Sequence, residues 1–175
     1  WHSVAAYTPG RPPLERTSLR QVPAPERQDD SITWSSAALD CAFTLQAPLP
    51  AASLRLLDDP RGRIDWHCEA PGGQCRVTTR DGAPLHGAGY AECLVMTALP
   101  WRLPIDELRW GRWISLDATR SVVWIDWQGD SPQRWVLVDG VQRTGAMVRD
   151  DGIGLGDTEL TLRDRRTLHE RSLRD

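Results

Sequence analysis

Tyr90, Glu92, Arg112 and Asp126 are the residues whose types and settings could do chemistry. In LHGAGYAECLVMTAL, residues 85–99, alternation puts Tyr90, Glu92, Leu94 and Met96 on one face and Ala91, Cys93 and Val95 on the other. A carboxylate on an apolar strand face is uncommon, and it is costly there unless paired. If this strand neighbours the next long apolar segment, Glu92 can meet Arg112. The pair would then be either a buried ion pair that sets register or the polar end of an apolar pocket. In the second case Glu92 would orient a ligand or, without Arg112, donate a proton. Asp126, beside Trp124, is a second candidate proton donor. An acid among aromatics suits protonation of an alkene, with indole faces steadying the cation. The competing reading pairs Asp126 with Arg109.

These residues must be positioned by LRWGRWISLDATRSVVWIDWQ, residues 108–128, which holds Trp110, Trp113, Trp124 and Trp127, four of the nine tryptophans. The pattern predicts a β-hairpin turning on Ala118-Thr119, with Trp113 opposite Trp124 and Trp110 opposite Trp127. Alternation puts Trp110, Arg112 and Ile114 on one face with Val123, Ile125 and Trp127. The other face carries Arg109, Gly111 and Trp113 with Val122, Trp124 and Asp126. Both faces are largely apolar, so both need cover. Tryptophans in this concentration fill cores or line pockets for flat apolar ligands. Trp66 and His86, on neighbouring predicted strands, are further candidates for the lining.

Elsewhere the chain is a run of short strand signals punctuated by turns. ITWSSAALDCAFTLQA predicts a strand pair or one bent strand, and SLRLLDD a strand closed by DDPRG. RIDWHCEA and QCRVTTR predict a hairpin about Pro-Gly-Gly, which would set Cys68 opposite Cys75 within disulfide reach. Reduced, buried thiols are the default for both. RWVLVDG and VQRTGAMVRD predict a hairpin over Asp139-Gly140. PWRLPIDEL is a proline-pinned connection with room for one helical turn. DDGIGLGD reads as a loop and TELTLRD as a last strand. Roughly ten short strands with turn signals every ~8–12 residues argue for an all-β, antiparallel barrel or sandwich. Residues 1–30, rich in proline and charge, read as an extended arm, and 31–175 as the β-barrel domain.

Composition excludes more than it assigns. The 175 residues suffice for one domain with a real core. A net charge of −3 gives no general reason to bind nucleic acid. No apolar run approaches the ~18 residues a membrane helix needs, and a cytoplasmic setting is the weak expectation. The start at Trp1 and the charged end suggest a processed chain or a piece of a longer one. The four cysteines lack CxxC spacing and no HxH or HExxH occurs, so neither metal nor cofactor is expected.

The run HGAGYAECLVMTALPWRLPIDELRWGRWISLDATRSVVWIDWQG resembles part of the lipocalin-like family of carotenoid hydratases (hydroxyneurosporene synthase) and AttH-like proteins. The likeness rests on Gly-x-Gly-Tyr-x-acid at Gly87 to Glu92 and on Trp-Gly-Arg at Trp110 to Arg112, and it covers about 45 residues. The family pattern has aspartate followed by histidine after the tyrosine, where this chain has Glu92 followed by Cys93. The resemblance implies a lipocalin-like barrel, or one half of a two-barrel protein, holding a terpenoid, carotenoid or polyketide among aromatic side chains. It implies Tyr90, Glu92, Trp110 and Arg112 as site residues, a second barrel or another copy as a partner, and hydration, cyclisation or isomerisation of an alkene as the chemistry. The alternatives are a non-catalytic carrier and an accessory domain of a larger enzyme.

Overall fold

A computed structural model describes residues 2–6, 14–21, 23–80 and 82–163. The regular structure of the described residues is antiparallel β, apart from one 3₁₀ turn at Pro100–Arg102 in the proline-pinned connection. The first thirty residues, expected as an arm, contain strands. β1 (His2–Ala6) and β2 (Leu14–Ser18) form a separate two-stranded ribbon, and β3 (Glu26–Gln28) joins the largest sheet.

That sheet continues with β4 (Ser31–Ser36), β5 (Cys41–Gln46), β6 (Ala52–Asp59), β7 (Gly62–Thr79) and β8 (Leu85–Met96). The strand pair expected for 32–47 is β4 and β5. β7 is its spine. One edge of β7 pairs with β8 almost along its length, while the other edge takes β6 over its first half and β5 over its second. The hairpin expected at Pro-Gly-Gly is therefore absent. Cys68 and Cys75 lie on one continuous strand, not on facing strands, and all four cysteines are free.

Pro-Gly-Gly instead marks a kink in β7. Register against β8 slips between His67 and Ala70 and again between Ala70 and Gly73, so β7 carries extra residues there. Bulges tolerate a proline that cannot donate to a ladder. The glycines are needed for close approach. A Cβ on Gly73 would collide with the Gln46 backbone carbonyl, and one on Gly72 would come within 3.2 Å of Ile114 Cγ2. The kink lets one strand leave β6 and take up β5.

The second sheet is built from β9 (Glu107–Ile114), β10 (Ser121–Gln128), β11 (Gln133–Val138) and β12 (Val141–Gln142), in the order β12-β11-β10-β9. The β9–β10 hairpin forms, but its register differs from expectation by two residues. Trp113 faces Val122, Trp110 faces Ile125, Gly111 faces Trp124 and Leu108 faces Trp127. The cause is the loop. Ser115 pairs with Arg120 around four residues, Asp117 Oδ1 accepts from Ser115 Oγ and Thr119 N, and Ala118 takes a positive φ of 56°. A shift of two preserves the face of every side chain. It also sets the Trp124 ring over Gly111, where a Cβ would collide with the indole. The β11–β12 turn over Asp139-Gly140 has positive φ at both residues, as a two-residue hairpin turn requires.

The two sheets pack face to face in a sandwich-like arrangement. Leu56, Leu57, Ile64, Trp66 and Cys68 of the first meet Val123, Ile125, Trp127, Trp135 and Leu137 of the second. A small sheet of β13 (Met147–Val148), β14 (Gly152–Gly154) and β15 (Glu159–Thr161) covers the reverse face of the second sheet. Its Val148 and Ile153 pack with Val122, Trp124 and Val136. The segment expected as a loop thus contains β14. Among the described residues none of the sheets closes into a barrel. β8 ends one sheet and β9 the other, and they are not paired with each other.

Candidate functional site

The site lies where these two free edges approach. Leu94 and Met96 of β8 stand directly opposite Trp66 and Ile64, so they share the core-facing side of β7. Trp66 is fully buried, yet Leu94 is 43% exposed and Met96 38%. The interior face of the first sheet therefore runs beyond the cover of the second. On β9, Trp110 is 37% exposed on the equivalent inward side.

Glu92 and Arg112 bridge this gap. Arg112 Nη2 donates to Glu92 Oε2 at 2.6 Å, and Trp66 Nε1 donates to the same oxygen at 3.1 Å. Arg112 Nη1 donates to the Pro71 carbonyl at 2.7 Å and to Cys68 Sγ at 3.5 Å. Its guanidinium carbon sits 4.0 Å from the centre of the Tyr90 ring, a cation–π distance. The Trp66 and Trp110 rings meet edge to face at 6.3 Å. The β7 kink contributes directly, because it presents Pro71 C=O to Arg112. Burial pushes the Cys68 thiol up from its ordinary range, against the opposing pull of Arg112. The shift favours the neutral thiol over the thiolate.

Tyr90, Glu92, Trp110, Gly111 and Arg112 enclose an open cleft of about 250 Å³. That is slightly below the range of pockets for drug-sized ligands, so it suits one end of a molecule. The Glu92 side chain is 25% exposed and that of Arg112 only 8%. Glu92 Oε1 accepts no hydrogen bond from any described residue.

The other expected site residues lie elsewhere. Trp127 is in the core, with Nε1 donating to Pro104 O. Trp113, Trp124 and Asp126 are on the reverse face of the second sheet, turned away from Glu92. Asp126 is buried and its partner is Arg134 on β11, with Nε to Oδ1 at 2.7 Å, not Arg109. Arg109 pairs with Glu107 and Asp150. Asp126 Oδ2 has no partner among the described residues. His86 is exposed on β8 opposite Arg76 and does not line the cleft. Sequence reading missed Gly111, Pro71 and Cys68 as neighbours of the site. The alternation that singled out Arg112 also carries Gly111, but nothing local marks Pro71 as an acceptor. Arg134 was reachable, since counting back over the loop after Gln128 sets it opposite Asp126.

No cluster of histidine, cysteine or acidic side chains among the described residues is arranged to hold a metal ion. Comparison with protein-family models, with curated proteins and with solved structures gives no match.

Proposed function

We propose that this chain binds an apolar small molecule, of terpenoid, carotenoid or polyketide character, in the cleft between β8 and β9. The observation that carries the reading is the uncovered strip of sandwich interior. Leu94, Met96 and Trp110 lie on core-facing sides but remain open to solvent, and exposed apolar surface of this kind marks a binding groove. The resemblance to lipocalin-like carotenoid hydratases implies a ligand of the same class, but held in a closed barrel, which the described sheets do not form.

Binding without catalysis is favoured over hydration or cyclisation. A proton donor needs an acid free of a standing cationic partner, and Glu92 Oε2 is occupied by two N–H donors. Asp126 is paired with Arg134 on the wrong face. Tryptophan fluorescence tests the proposal against a panel of terpenoids, fatty acids and polyphenols. Saturable quenching by at least one class is expected. Trp110→Ala should weaken that binding about tenfold, the equivalent of ~1.4 kcal/mol, while Trp113→Phe on the reverse face leaves it unchanged. No quenching by any member of the panel would remove the reading.

A further inference from the structure

We infer that the preferred ligand is an apolar chain ending in a hydroxyl group, with that hydroxyl donating to Glu92 Oε1. The inference rests on the binding reading above and assigns the ligand's polar end. Three observations carry it. The cleft offers an open anionic acceptor, because Glu92 Oε2 is occupied and Oε1 is not. The cation is withdrawn, since Arg112 is nearly enclosed and already serves Glu92, Pro71 and Cys68. The apolar row continues from this point along Leu94 to Met96, four residue steps or about 13 Å of strand, so a tail has a surface to follow.

Charge decides between head groups. Glu92 and Arg112 together are neutral. A carboxylate would set a second anion against Glu92, with the Arg112 cation already committed. An ammonium would add a second cation beside Arg112 that nothing on the cleft wall balances. Both bring an unbalanced charge out of water, which costs desolvation. A hydroxyl supplies one donor at no charge. A hydrocarbon end leaves Oε1 stripped of water and unbonded.

The test holds the tail constant and changes the head: farnesol, farnesoic acid, farnesylamine and farnesene, titrated against the intrinsic tryptophan fluorescence of the full chain. Farnesol should bind tighter than each of the others by at least about tenfold, the lower end for a hydrogen bond to a charged group. In Glu92→Gln the anionic carboxylate is gone and Arg112 loses its counter-charge, so farnesoic acid should gain on farnesol by a similar factor. Circular dichroism of the variant checks that it is folded, and the wild-type ranking needs no variant. If farnesoic acid, farnesylamine or farnesene matches farnesol on the wild-type chain, the inference fails while the binding reading stands. If none of the four quenches and the wider panel is also silent, both fall together.

Discussion

The side chain on which most depends is Arg112. It makes an ion pair, a hydrogen bond to a carbonyl, a contact with a thiol sulfur and a cation–π contact, each with a residue of β7 or β8. It is thus the link that holds the two unpaired edges at a set distance. Removing Glu92 alone would leave the enclosed guanidinium without its counter-charge, whereas replacing both partners by apolar residues removes the desolvation cost as well. Glu92→Ala should therefore destabilise the fold by about 3 kcal/mol, and Glu92→Leu combined with Arg112→Met should recover most of that loss. Chemical denaturation of the single and double variants measures both. Additive losses would show that the pair is incidental. The presence of an acid and an arginine on apolar strand faces was legible from alternation alone. Their meeting was not, because it depends on which strands are neighbours.

At the scale of elements, β7 shows how a local signal can mislead. Pro-Gly-Gly between two alternating runs is a turn signal by every local rule, yet the strand continues through it with a bulge. The deciding interaction is with β8, whose uninterrupted run pairs with both halves of β7 and keeps them in one strand. The glycines then serve closeness, not reversal. Gly73→Ala would drive a Cβ into the Gln46 carbonyl, a backbone atom that cannot swing aside. The expected loss is about 3 kcal/mol, at the upper end for overpacking, read as a fall in thermal midpoint. A melt unchanged from wild type would contradict the kink. The tryptophan hairpin was misread more mildly. Faces follow from a period of two, so they survive a shift of two residues, while the pairing partners follow from loop length and do not.

For the whole molecule, the consequence of sandwich-like packing without closure is an interior strip left open at β8 and β9. Stability is spread over surface ion pairs as well as the core. Asp65 accepts from Arg63 Nε and, at 3.1 Å, from Arg55 Nε. The Arg63 hydrogen bond is the largest influence holding its carboxyl below the ordinary value of 3.8, with Arg55 adding to it against burial. A carboxyl lowered in the folded state stabilises the fold fully above its unfolded value. The contribution fades as pH falls through 3.8 towards the folded value, because the unfolded chain takes up its proton first. Asp65→Asn should thus be less stable than wild type at neutral pH, with the difference narrowing in acid. A difference that is constant from pH 7 to about pH 2 would exclude this linkage.

Alternation along LRWGRWI, SVVWIDWQ and GYAECLVM, with turn chemistry between, determined an all-β chain and the face of each candidate side chain. These are local properties, carried by the two-residue period of a strand and by the few residues that tolerate positive φ. Whether Pro-Gly-Gly reverses a strand or bends it, whether Glu92 meets Arg112, and whether the inner face at Leu94 and Met96 is covered were decided only by tertiary structure. Each depends on the pairing and packing of segments distant in sequence, which no window along the chain contains.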